Sequence, residues 1–257
     1  MNWINNIKGI LCDLDGVVYT SKTPIEGSIE ALRIINDKGI QIRFVTNTSG
    51  ATPEMIQQHM QNMGITVEAS QIFNPPFAAA DYLKAQNYKT YLPIIRDSIK
   101  SCFDFLEEDD QNTDAIVVGD IGSKWDHKLM TTLFEHILNG ADFVALHKGR
   151  FWKKKDHLQL DIGAFVHGLE YATNSEAKVM GKPSATFFEL AQKSMGLSKD
   201  EVLMVGDDVL SDVGGAMNAK IRGVLVKTGK YNASFTAKSG VTPDLIVENL
   251  LDLASKL

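Results

Sequence analysis

Ile7-Lys8-Gly9-Ile10-Leu11-Cys12-Asp13-Leu14-Asp15-Gly16-Val17 decides how this chain is read. A short, mainly apolar run at residues 7–14 carries two acids two positions apart, and a glycine follows directly. Such a run, closed by a turn residue, reads as a buried strand. Side chains two apart on a strand point the same way, so Asp13 and Asp15 can face one site. Gly16 lets the chain turn sharply away. In a parallel sheet, sites form at the carboxyl ends of strands. By itself the pair reads equally well as an acidic turn.

Outward from this stretch, short apolar runs alternate with helical patterns. Residues 28–38 are amphipathic and Gly39 stops them; residues 40–46 form a second strand. Residues 53–63 give a helix ended by Gly64. Towards the other end, 202–205, 221–226 and 245–247 read as strands, and 209–219 as a helix. In the middle, 89–92, 115–118 and 143–146 read as strands, with helices at 97–107, 127–138 and 163–172. The acidic run 107–110 reads as a solvated helix end with its loop. This alternation predicts an α/β protein with a parallel sheet covered on both faces.

Three more segments fall at the ends of such elements. Val45-Thr46-Asn47-Thr48-Ser49 brings hydroxyls, an amide and backbone N–H groups to a helix entrance, where they can hold phosphate oxygens or simply cap the helix. Met180-Gly181-Lys182-Pro183 places a lysine at the mouth of a helix that Pro183 is suited to open. Val205-Gly206-Asp207-Asp208-Val209-Leu210-Ser211-Asp212 gathers more carboxylates at a strand end. Carboxylate oxygens together are what a hard divalent cation, above all Mg2+, wants. Each segment alone can be turn chemistry; four of them on one inferred sheet point to a site.

Composition agrees with a soluble globular protein. Of 257 residues, 44% are apolar and 23% charged. No run reaches the roughly 18 apolar residues of a membrane span, and residues 1–8 carry no secretory pattern. The net charge of −6 speaks against a broad nucleic-acid surface. Two cysteines make no disulfide framework and suit a reducing cytoplasm. The six histidines lack metal-ligand spacing. Cys12 alternates away from Asp13 and reads as core.

The four segments, in this order, resemble the four motifs of the haloacid dehalogenase superfamily. Asp13 and Asp15 match the first motif, Thr46 the second, Lys182 the third, and Asp207 with Asp208 and Asp212 the fourth. Ala145–Trp152, 206–216 and 226–231 are similar to the subgroup containing phospholysine phosphohistidine inorganic pyrophosphate phosphatase and haloacid dehalogenase-like hydrolase domain-containing protein 2. The long stretch between Thr46 and Lys182 exceeds what a plain core needs. With the resemblance, it implies a Rossmann-like core at 1–73 and 179–257, with an inserted NagD-type α/β cap at 74–178. Asn74-Pro75-Pro76 then marks the hinge.

The resemblance further implies a magnesium-dependent phosphatase. Asp13 would be the nucleophile that becomes an aspartyl-phosphate, and Asp15 the general acid and base. Magnesium would be held by Asp13, the Asp15 backbone carbonyl and Asp207. Thr46, Asn47 and Lys182 would bind the phosphoryl oxygens, and Asp208 or Asp212 would orient Lys182 or a metal-bound water. The substrate would be a small phosphorylated molecule, with phosphohistidine, phospholysine or pyrophosphate in view, and relatives with this cap often form homodimers. A regulatory module on the same scaffold and a phosphomutase are the competing readings. The basic and aromatic run Lys148, Arg150, Phe151, Trp152, Lys153, Lys154 and Lys155 reads first as a solvated cap hairpin, next as a surface that steers an anionic substrate, and last as a nucleic-acid surface.

Overall fold

Gly9–Cys12 is buried at every position, and it lies in the middle of a six-stranded, all-parallel sheet. Across that sheet the strands run Leu245–Val247, Arg222–Val226, Val202–Gly206, Gly9–Cys12, Gln41–Val45 and Ile72–Phe73. The computed structural model describes residues 3–154 and 157–257. Lys155 and the side chains of residues 152–154 lie outside this description.

The described residues gather into two compact units. The first comprises Met1–Thr46, Pro53–Phe73 and Lys182–Leu257; the second comprises Asn47–Thr52 and Asn74–Gly181. In the first, helices pack by apolar spacing. Ser28–Asp37 buries Ala31 and Ile35, four apart on one face, and stops before Gly39, whose φ of +71° suits only glycine well. Ala185–Lys193 buries Phe187, Phe188 and Ala191.

The expected helix at 209–219 is not regular. It begins as a π-helical stretch, Val209–Gly214, and continues as a short α-helix, Gly215–Asn218. The wide turn coincides with close packing: a Cβ on Gly215 would come within 2.8 Å of Pro183 Cα. π-turns of this kind often sit at functional sites.

The second unit has its own five-stranded parallel sheet, in the order Lys178–Val179, Asp142–Ala145, Ala115–Val118, Thr90–Ile94 and Glu107–Glu108. Ile116, Val118, Leu133, Phe143 and Val166 form its core with helices His127–Leu138 and Gly163–Thr173. Phe151–Lys154 and His157–Leu160 pair antiparallel.

The helix expected at 97–107 is only a 3₁₀ segment, Asp97–Phe103. The acidic run is no helix end: Glu107–Glu108 is an edge strand, with Glu107 N–H donating to Lys89 O at 2.9 Å. Exposed carboxylates on such an edge discourage pairing with other chains. Asn74 has a definite local job as N-cap, its Oδ1 accepting from Phe77 N–H at 3.2 Å, with prolines in the first turn.

Candidate active site

Strand register assembles the site within the first unit. Cys12 pairs with Val205 on one side and Phe44 on the other. The next residues, Asp13, Gly206-Asp207 and Val45-Thr46, therefore emerge together at the carboxyl edge. Asp13 N–H still donates to Val205 O at 3.0 Å, so the nucleophile candidate is fixed by its backbone.

Lys182 is brought to these acids. Its Nζ lies 2.7 Å from Asp13 Oδ1, 2.6 Å from Asp212 Oδ1 and 3.3 Å from the Val45 carbonyl oxygen. Pro183 does not open the next helix as expected. Ser184 is the N-cap and the helix starts at Ala185, so Lys182 precedes the helix, with its ammonium turned towards Asp13 and Asp212. Burial alone would lower the Lys182 pKa, but the flanking carboxylates hold it above its ordinary value. Asp13 is pushed up to about 7, first by burial, then by the negative charge of Asp212, against the pull of Lys182. Cys12 is buried beneath, and burial with the Asp13 charge drives its thiol up, leaving it inert.

Asp207 is held differently. Its Oδ2 accepts from Lys230 N–H at 2.7 Å, while its Oδ1 is buried without a hydrogen-bond partner among the described residues. Burial raises its pKa. An unpaired buried carboxylate oxygen is costly unless something positive meets it. Oxygens of Asp13, Asp207 and Asp212 all lie within 4.8 Å of one another. Three hard oxygen donors, one of them orphaned, fit a small divalent cation such as magnesium.

Glycines make room for this carboxylate. Gly16 (φ +90°) and Gly229 (φ +59°) both abut Asp207 Oδ2 so closely that a Cβ on either would overlap it. Thr228 Oγ1 donates to Gly16 O at 2.6 Å and straps the two loops together. Residues 228–230 entered the sequence analysis only within the 226–231 resemblance, with no place in the site. The available signal was a glycine just past another strand of the same sheet.

The remaining candidates divide. Thr46 is buried at the sheet edge, its N–H donating to Phe73 O at 3.2 Å. Asn47 belongs to the second unit, beside Gly181. The strand ends at Cys12, so period-two alternation does not govern Asp15. Its carboxylate is exposed and accepts from Ser21 N–H at 3.2 Å. Asp15 and Asp13 both bear on Tyr19, whose phenol is pushed up to about 12 by burial and then by these two charges. Asp212 meets Lys182, whereas Asp208 Oδ1 caps the following turn by accepting from Leu210 and Ser211 N–H, each at 3.0 Å. The Asp212 carboxylate is itself pinned, its Oδ2 accepting from Asp208 N–H at 3.0 Å. In the basic run, Lys148 is paired with Glu170 at 2.8 Å.

Known proteins match along nearly the whole length. A haloacid dehalogenase-like hydrolase family profile matches residues 10–121, and a HAD-hydrolase-like profile matches residues 179–253. Phospholysine phosphohistidine inorganic pyrophosphate phosphatase of Xenopus laevis is 35% identical, over 96% of this chain and 93% of that protein. Human haloacid dehalogenase-like hydrolase domain-containing protein 2 is 35% identical, over 95% and 93%. Among solved structures, p-nitrophenyl phosphatase from Archaeoglobus fulgidus superposes with TM-score 0.89 at 25% identity, covering 98% of this chain and 99% of that one. NagD from Escherichia coli K-12 has the same fold, with TM-score 0.86 at 24% identity over 96% and 98%.

Proposed function

This chain belongs to the haloacid dehalogenase-like hydrolase family and is a phosphatase of that family, and on this footing we propose a magnesium-dependent reaction through an aspartyl-phosphate on Asp13. The observation that carries the proposal is the buried cluster in which Lys182 bridges Asp13 and Asp212 while Asp207 Oδ1 has no hydrogen-bond partner among the described residues.

Asp13 attacks phosphorus; the bond from phosphorus to the leaving oxygen breaks as the new oxygen–phosphorus bond forms. Asp15 gives its proton to the leaving oxygen. As a carboxylate it then takes a proton from water, which attacks phosphorus and frees Asp13 and inorganic phosphate. Lys182 and Thr46 neutralise and orient the phosphoryl oxygens, and we assign Asn47 to the same task. Asp212 fixes the Lys182 ammonium, and Asp208 shapes the turn that presents Asp212. Asp13, Asp207 and the Asp15 backbone carbonyl would hold magnesium, which when bound screens the repulsion between carboxylate and phosphate.

The substrate class we propose is a small phosphate ester, or a phosphoramidate or pyrophosphate, as the names of the relatives suggest. A cap at 74–178, which makes up most of the second unit, would select the leaving group. A cytoplasmic setting suits a chain with two cysteines and no disulfide framework, and among the described residues no helix is long and apolar enough to cross a membrane. The test is hydrolysis of p-nitrophenyl phosphate and a panel of these substrates with and without magnesium. Acid-quenched enzyme is then examined for an added phosphoryl group on Asp13 by mass spectrometry. Wild-type rates in Asp13→Asn would sink the assignment.

A further inference from the structure

We infer that His59 is a positioning residue for the Asp15 carboxylate, acting through the turn at Ser21. The inference rests on the reading above, in which Asp15 is the acid and base. Asp15 stands beyond the end of its strand and is exposed, so core packing does not aim its carboxylate. Instead Ser21 N–H donates to Asp15 Oδ1 at 3.2 Å. General acid catalysis needs the donor within hydrogen-bond reach of the leaving oxygen, so whatever holds Ser21 also sets the acid.

Ser21 opens the two-residue turn between the strands Tyr19–Thr20 and Thr23–Pro24. Its φ of +57° lies in the left-handed region that suits glycine rather than serine. Two strands of two residues do not stabilise themselves. The ribbon must be fixed from outside, and His59 does so from the helix Pro53–Gln61.

His59 Nε2 lies 3.1 Å from the Ser21 carbonyl oxygen. A carbonyl only accepts, so Nε2 carries the hydrogen and donates it. The same imidazole meets the Tyr19 ring edge to face, with centroids 5.5 Å apart at 83°. One side chain therefore holds the turn at two points, while the amide of that same Ser21 holds Asp15. The anchor is firm, because Ile56 and Met60 on the His59 helix are both buried. The path from the packed helix to the exposed proton donor thus has three links: His59, Ser21 and Asp15.

The experiment compares wild type, His59→Ala, His59→Gln and Asp15→Asn in the presence of magnesium. Each is assayed for kcat/KM on p-nitrophenyl phosphate and on phenyl phosphate. The nitrophenolate leaves with little help, whereas the phenolate needs its proton. We expect His59→Ala to lose about tenfold on phenyl phosphate, within the range general acid catalysis supplies, and far less on p-nitrophenyl phosphate. His59→Gln keeps an N–H donor and should recover most of that loss. An equal loss on both esters, or no loss, overturns the inference, since a merely structural residue leaves the ratio between esters unchanged. If Asp15→Asn does not alter the ratio, the Asp15 role itself falls and takes this inference with it. If Asp15→Asn alters it and His59→Ala does not, only the inference falls.

Discussion

Lys182 Nζ and Asp212 Oδ1 lie 2.6 Å apart where the two side chains keep only 4% and 1% of their surface. This ion pair also faces Asp13, so one ammonium compensates two buried carboxylates. Removing it should be more damaging than removing a surface charge. Breaking a buried pair typically costs about 3–5 kcal/mol, because the remaining charge has no compensation. Lys182→Met is therefore expected to lower the stability of the metal-free protein by about 3 kcal/mol or more. Added magnesium should restore part of it, because the cation replaces the missing positive charge. Urea unfolding with and without magnesium measures both; unchanged midpoints would show that the carboxylates do not need Lys182.

The elevated Asp13 pKa predicts a pH effect with a defined sign. Its ordinary value is 3.8 and its folded value about 7. Between these, the folded chain holds a proton that the unfolded chain has released, so stability falls as pH rises. The contribution is complete below about pH 4 and lost by about pH 7. Without divalent ions, Asp13→Asn should lack this part of the slope and be relatively more stable at pH 7. Unfolding free energies at several pH values decide it, and parallel curves for both proteins would refute it.

Gly229 sits where its φ of +59° and the nearness of Asp207 both exclude a side chain. Gly229→Ala should push Asp207 aside and weaken the Lys230 N–H bond to its Oδ2. If Asp207 is the metal ligand proposed above, disturbing the group that orients it costs about 10–100-fold in affinity. Calorimetric titration with magnesium is expected to show a loss of that size. Wild-type affinity would mean that Asp207 does not depend on this cradle.

Asp208 and Asp212 should separate cleanly by mutation. Asp208→Ser keeps an N-cap oxygen, and even full loss of a cap costs about 1 kcal/mol. Its kcat/KM on p-nitrophenyl phosphate should stay within a few-fold of wild type, by the same reasoning. Asp212→Ser removes a partner of Lys182 and should abolish most activity. Equal losses in the two variants would contradict the division of labour seen here.

The strand–helix alternation, and the places where polar residues interrupt it, can be read directly from the order of residues. Those are local properties: an apolar run of strand length, a helical spacing such as Ala31 to Ile35, a glycine at a helix stop. Gly9–Cys12, Gln41–Val45 and Val202–Gly206 were legible for this reason, and with them the acids and hydroxyls that follow. The resemblance to the haloacid dehalogenase motifs was legible too, since it lies in short contiguous segments. Folding is what brings Asp212, and not Asp208, against Lys182, at a π-helical stretch that coincides with the close packing of Gly215 on Pro183. It alone paired Glu107–Glu108 with Thr90–Tyr91 as an edge strand, through backbone bonds that leave no mark on side-chain periodicity. It alone tied Thr228 to Gly16 and His59 to Ser21. These contacts join residues far apart in the chain, and packing sets them where no local pattern reports the partner.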